Sequence, residues 1–389
     1  MLIGLIGAPN KGKSTMFSAL TMNDVQIADY AFTTIKPNLG VAQASKECVE
    51  LELGVKCRPR NSTCTNGIRN IPVNVVDVAG LVPGAHLGKG MGNQFLNDLA
   101  GADALIQVVD CSGETDMHGE RTEWADPAEE VLMVRKELVE WISGIISRHM
   151  QQLSRNDDAV AGLYALLSGF KATQEQIKHA ISAEYLTSNR INWSAEECTR
   201  FASRFLEDSK PIVIAANKMD KSDTKKLEWL KGRLRGYEVI ACSGAMELAI
   251  RKAEAAGLIR YTGGSIHVTG KPTPEQEQGI RIMGEYLERH NGTGVNDIIS
   301  KIVFQILRKI VVYPVEDENK FTDHFGNVLP DAVLMDNGST ALQLAERIHT
   351  DIARGMKYGI DAKKKLRVPK DYILKDNDVI KIFSAGAMK

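Results

Sequence analysis

The chain lacks any run of about eighteen apolar residues among its 389, so no membrane-spanning helix is expected. It also lacks the basic stretch, apolar stretch and cleavage site of a secretory leader. The apolar segment Leu2–Ile6 is too short for one, and a cytoplasmic protein is the expectation. Charge of one sign is not in excess. Lys+Arg number 48 against 49 Asp+Glu, a net charge of −1, so any nucleic-acid surface must be local. Cysteine is scarce, six in all, and none forms a Cys-x-x-Cys pair. Cys48, Cys57 and Cys64 do fall in one segment, which hints at zinc. Their spacing fits no known finger and no fourth local ligand is evident, so free thiols in a reducing compartment are the favoured reading. What remains is a globular composition, 43% hydrophobic and 25% charged, in a chain long enough for two or three domains.

Against that background one stretch stands out. Gly7-Ala8-Pro9-Asn10-Lys11-Gly12-Lys13-Ser14-Thr15 fits G-x-x-x-x-G-K-[ST] at every fixed position. Leu2, Ile3, Leu5 and Ile6 precede it as a buried strand would, and Met16, Phe17 and Leu20 follow at helical spacing. Gly7 and Gly12 let the backbone curl so that its N–H groups point inward at phosphate oxygens. A helix starting near Lys13 adds its positive end. Lys13 is placed for the β and γ phosphates and the Ser14 hydroxyl for Mg²⁺.

About twenty residues further on, Phe32-Thr33-Thr34 lies in a loop before an apparent strand, Leu39–Ala42. A threonine there can hold Mg²⁺ and the γ-phosphate and let go after hydrolysis, although the same pair also suits a solvated loop. Residues 45–71 read as a hairpin or irregular excursion. A strand, Ile71–Val76, then ends in Asp77-Val78-Ala79-Gly80. An acid at a strand's C-terminal end faces the ligand side of an α/β sheet, so Asp77 is a candidate to hold Mg²⁺ through water. Gly80 is a candidate donor to the γ-phosphate. Leu81 stands where many switch GTPases carry a water-orienting Gln. The glycines at 84, 88, 90 and 92 suggest a mobile lid.

After a further strand, Ala104–Val109, residues 111–209 break the α/β rhythm. Asp126 as N-cap, Pro127 at the first helical position and Glu129 closing a capping box predict a helix carrying Val131, Val134, Leu138, Ile142 and Ile146. Helices are also expected near 157–170, 172–186 and 194–207. They make an inserted arm, which also reads as a solvated helical hairpin. The α/β pattern returns with a strand at Pro211–Ala216 and Asn217-Lys218-Met219-Asp220. This is a base-reading motif: a carboxylate accepts from guanine N1–H and N2–H₂ together, which adenine cannot match. Ser243-Gly244-Ala245, after a strand at Val239–Cys242, offers N–H groups to guanine O6. Helical patterns fill about 276–309. From Ile310 short strands, a helix capped by Ser339 and a closing strand, Val379–Phe383, suggest a small α+β domain. Between Arg354 and Lys370 seven basic residues face one acid, Asp361, which suits either RNA phosphates or a solvated loop.

Taken together, Gly7–Thr15, Phe32–Thr34, Asp77–Leu81, Gly92-Asn93-Gln94-Phe95-Leu96 and Asn217–Asp220 resemble the Obg-type GTPases, specifically the YchF / Obg-like ATPase subfamily. The resemblance covers essentially the whole chain. It implies an α/β fold: a P-loop NTPase domain with a mostly parallel sheet at 1–110 and 210–309, an inserted coiled-coil-like helical arm at 111–209, and a β-grasp TGS domain, similar to ubiquitin, at 310–389. It implies a Mg²⁺-dependent GTPase associated with the ribosome or translation. The alternatives are an ATP-preferring or dual-specificity nucleotidase, or a ribosome- or RNA-binding scaffold with incidental hydrolysis. The expected catalytic groups are Lys13, Thr34 and Gly80. The expected nucleotide contacts are Asn10, Lys11, Gly12, Lys13, Ser14, Thr15, Asn217, Lys218, Asp220, Ser243 and Gly244. Ser14, Thr34 and Asp77 are the expected Mg²⁺ site. Asn10 occupies the place where potassium-stimulated relatives carry Asn, so K⁺ is a candidate second cation. Several members have lost the base-reading carboxylate and use ATP, whereas this chain keeps Asp220. It departs from the usual Ser-Ala at Ser243-Gly244.

Overall fold

The computed structural model describes residues 1–21, 39–78, 99–189, 191–262 and 264–385. The chain divides into two compact units. One holds Met1–Met22, Ile35–Val41 and Asn74–Ile298; the other holds Asn23–Thr34, Ala42–Val73 and Ile299–Lys389.

The first unit is built on parallel strands in the order β4-β1-β5-β6-β7: β1 Leu2–Ile6, β4 (Ile68–Asp77) from Asn74 onward, β5 Ala104–Asp110, β6 Ile212–Asn217 and β7 Glu238–Ala241. Every residue of β5 is buried, as expected of a central parallel strand covered on both faces. The register is what builds the site. Leu5 pairs with Asp77 and Asp110 pairs with Asn217, so the polar strand ends line up along one edge. A two-stranded hairpin, β8 Ile259–Thr262 and β9 Ser265–Val268, follows the helix Gly244–Ala255.

Residues 111–209 hold the helices Pro127–Arg148, Ala159–Leu167, Gln174–Ala183 and Ala195–Ser209, within two residues of the expected ends except at 157–170 and 172–186, where they are shorter. Their apolar faces form one core, in which Val134, Leu138, Ile142, Leu163, Ile177, Phe201 and Phe205 pack with Ile6 and Leu105 of the sheet and with Val78 just beyond β4. The helices therefore share the sheet's core. Asp126 caps as expected, but its side chain accepts from the N–H of Ala128 instead of closing a box with Glu129.

The second unit contains β2 Leu39–Glu47 from Ala42 onward, the helix Glu50–Leu53, β3 Thr63–Thr65 and β4 up to Val73. β3 and β4 form a tight hairpin in which Asn66 and Gly67 both have positive φ, as a two-residue turn requires. Its C-terminal part is a five-stranded sheet in the order β11-β10-β14-β12-β13: β10 Ile310–Val315, β11 Val333–Met335, β12 Met356–Asp361, β13 Leu366–Val368 and β14 Asp378–Ser384. β10 and β14 are parallel at its centre, the arrangement of a β-grasp. Thr340, not Ser339, caps the helix Ala341–Ile348, because Thr340 makes the reciprocal capping box with Gln343. Val49, Ile71, Val311, Tyr313, Leu329 and Val379 share one core within this unit. Among the described residues no helix is long and apolar enough to cross a membrane.

Candidate nucleotide site

The glycine loop leaves β1 at Gly7, whose φ is 148°. A Cβ there would lie 2.5 Å from the Val108 carbonyl oxygen, so the loop could not pass so close to β5 with any other residue. Gly12, φ 86°, is constrained by Asn217, whose Nδ2 occupies the space a Cβ would need. Gly12 O then accepts from Met16 N at 2.9 Å, and the helix Lys13–Thr21 begins with Ser14 exposed. Lys13 Nζ donates to Asp77 Oδ1 at 2.8 Å and to Val78 O at 2.7 Å. The first and second nucleotide motifs thus meet. Thr15 lies in the first turn, half-buried.

The loop is also braced from behind. Lys11, 2% exposed, reaches Glu130 Oε2 at 3.1 Å and Thr115 O at 2.7 Å, so its side chain turns inward and only its backbone faces the cradle. Glu130 Oε1 accepts from Ala8 N at 2.9 Å. Burial pushes the Glu130 carboxyl above its ordinary value, opposed by the Lys11 cation and the Ala8 N–H. Asn10, at φ 62°, donates through Nδ2 to Gly119 O at 2.9 Å, which leaves its Oδ1 free of that bond.

The base-reading motif is bolted to the loop. Asn217 Nδ2 donates to Lys11 O at 2.8 Å, while its Oδ1 accepts from Gly244 N at 2.9 Å. Lys218, at φ 63°, donates to Asp110 Oδ2 at 2.9 Å. Asp110 is almost fully buried. Burial alone would raise its carboxyl, but Ser112, Thr115 and Lys218 together hold it below the usual carboxylate range. Ser243 Oγ donates to Asp220 Oδ1 at 2.6 Å and accepts from Met246 N as the helix cap. The glycine at 244 has a packing reason: a Cβ would meet the Met16 backbone at 3.2 Å, so glycine lets this helix sit against the P-loop helix.

Lys13, Ser14, Asp77, Asn217, Asp220 and Ser243 therefore stand along one edge, as the motif spacing implies. Thr34, Gly80, Leu81, the glycine-rich stretch 83–92 and Gly92–Leu96 lie outside the described residues. The sequence reading missed Glu130, Thr115 and Asp110. Asp110 had a signal, since it ends a buried strand as Asp77 does. Glu130 had none, because its partners lie over a hundred residues away. The basic stretch 354–370 is partly neutralised: Lys363 pairs with Glu52, Lys364 with Asp361 and Arg354 with Asp351. Arg367 instead stacks over Tyr358, itself stacked on Phe383.

A parallel sheet with a glycine loop, a lysine and an aligned base-reading strand end defines a P-loop nucleoside-triphosphate hydrolase. Residues 2–145 match the family described as 50S ribosome-binding GTPase, 215–317 the G4 motif-containing domain of Obg-like YGR210-like GTPases, and 325–384 the TGS domain. A GTP-binding protein of Methanocaldococcus jannaschii is 47% identical across 99% of both chains. The ribosome-binding ATPase YchF of Mycoplasma genitalium is 33% identical over 55% of each chain. The crystal structure of a GTP binding protein from Pyrococcus horikoshii superposes with a TM-score of 0.80 at 36% identity, covering 99% of this chain and 100% of that one. The chain belongs to the YchF / Obg-like family of P-loop GTPases and carries a TGS domain.

Proposed function

We propose that the enzyme hydrolyses GTP to GDP and phosphate and works as a nucleotide-dependent switch on the ribosome. The observation that carries the guanine reading is Asp220, its carboxylate set by Ser243 at 2.6 Å and its loop tied through Asn217 to the P-loop. Guanine offers two adjacent donors to that carboxylate and adenine offers none. Lys13 and the loop N–H groups stabilise the charge that develops on the γ-phosphate as water attacks. The described donors fit Mg²⁺: the exposed Ser14 hydroxyl is an oxygen ligand of the hard kind this ion selects, and the Asp77 carboxylate would hold the ion through water, while Thr34, the expected third member, lies outside the described residues. Bound there, Mg²⁺ neutralises phosphate charge. A Gly80 N–H is the proposed further donor, and a leucine at position 81 can offer no hydrogen bond to the attacking water, which suits slow turnover until a partner completes the site.

The test is turnover of Mg²⁺–GTP with and without ribosomes. Strong stimulation supports the switch. Tight nucleotide-dependent ribosome binding without stimulation supports a scaffold instead. Lys13→Ala is expected to lower turnover by on the order of 10²–10³, and wild-type rates in that variant would refute the site. The ATPase name of the Mycoplasma relative favours a second reading, ATP or dual use. Asn10 Oδ1 is the candidate K⁺ ligand, so hydrolysis is expected to run faster in potassium than in sodium at matched ionic strength. Equal rates would remove the second cation.

A further inference from the structure

We propose that Cys48, Glu50, Cys57 and Cys64 form a structural zinc site in the second unit. These four residues each offer one ligand atom, and all four atoms lie within 4.8 Å of one another. Zn–S bonds of about 2.3 Å place tetrahedral ligands about 3.8 Å apart, so a small contraction around one ion closes the shell. Three separate pieces of chain converge to make the cluster. Cys48 follows β2 and its N–H donates to Gly67 O of the hairpin turn at 2.7 Å. Glu50 opens the short helix Glu50–Leu53, Cys57 lies in the loop beyond it, and Cys64 stands on β3. Glu50 already ties them together: Oε2 accepts from Cys57 N at 2.8 Å and Oε1 from Cys64 Sγ at 3.2 Å.

Burial and charge favour a cation here. Cys48, Glu50 and Cys57 are buried, and a carboxylate is rarely withdrawn from water among thiols without a compensating charge. Arg69 pairs with Cys64 across the β3–β4 ladder and is 0% exposed. Its Nη2 donates to Leu329 O, while its Nε and Nη1 have no hydrogen-bond partner among the described residues. Three thiolates and one carboxylate around Zn²⁺ carry a net charge of −2, which the Arg69 guanidinium, already close enough to act on the Glu50 carboxylate, would offset. Four protein donors fill a tetrahedron and leave no open position, so the site is structural. Thiolate-rich donors select zinc over Mg²⁺ or Ca²⁺. Glu50 is the fourth ligand that spacing did not reveal, because a helix turn and a loop bring it between the cysteines.

The test uses the full-length chain, purified under reducing conditions from zinc-supplemented culture, with metal counted by mass spectrometry. One zinc per chain that survives desalting is expected. Cobalt substitution should give thiolate charge-transfer absorption and tetrahedral visible bands, readouts independent of nucleotide hydrolysis. Cys64→Ser, at the least buried ligand, should weaken zinc binding by about tenfold or more, since loss of even an outer-shell partner costs about 10–100-fold. Glu50→Gln should retain the thiolate bands with lower affinity. Folded, reduced wild-type protein that takes up neither zinc nor cobalt stoichiometrically overturns the proposal. A disulfide joining two of the three cysteines in a peptide map of the protein as isolated overturns it equally.

Discussion

At the residue scale the nucleotide loop is held by charges inside the protein as much as by its own glycines. Lys11 and Glu130 are both almost completely buried, so removing one leaves the other uncompensated. Lys11→Met is expected to destabilise the fold by about 3–5 kcal/mol. Adding Glu130→Gln should restore part of that loss, because a neutral amide needs no cation and still accepts from Ala8 N–H. Denaturant unfolding of the two variants checks this, and equal stability of Lys11→Met and wild type would deny the pair its role. Gly12→Ala is expected to spare the fold but abolish tight nucleotide binding, since its Cβ would displace the Asn217 amide that joins loop to base-reading strand; calorimetric titration measures it. The loop was legible in sequence because its chemistry needs particular residues at fixed spacing. Its bracing was not, because Lys11 looks like any P-loop lysine until Glu130 is brought across 119 positions of chain.

At the scale of elements, strands and helix starts followed from pattern and capping chemistry, and the errors are local. Asp126 chose the nearer N–H, and Thr340 outcompeted Ser339 because it had Gln343 three residues on. The segment 111–209 was harder. Its periodicity marked helices but not what they pack on, and contact with Ile6 and Leu105 is a tertiary fact. Lys210, at the end of its last helix, is 4% exposed and donates to the carbonyls of Ala100 and Ala102. Burial pulls its ammonium down to about 8 from 10.5. A cation with a depressed folded value is penalised by folding below that value, and the penalty fades as pH rises from about 8 towards 10.5. Unfolding free energy should therefore rise across that window relative to Lys210→Met. Parallel curves for the two proteins would mean that Lys210 titrates normally.

At the scale of the whole molecule the two units carry different kinds of chemistry. The first places the polar ends of β4, β5 and β6 along one edge, beside the glycine loop that leaves β1, as register alone requires. The second joins a β-grasp sheet and the 42–73 segment through a common core. The sequence showed the sheet but not this partnership, since Ile71 and Val311 are linked only by packing. The central claim, that Asp220 selects guanine, is tested most directly by displacing labelled GTP with unlabelled GTP or ATP, in wild type and in Asp220→Asn. Asp220 is half-buried and keeps its bond from Ser243, so with adenine it lacks only guanine's two donors, a loss on the order of 1–3 kcal/mol, about tenfold to a hundredfold in affinity. The account predicts that ATP at equal concentration leaves labelled GTP bound to the wild type, and that Asp220→Asn narrows the gap. Equal displacement by ATP and GTP from the wild type would contradict it.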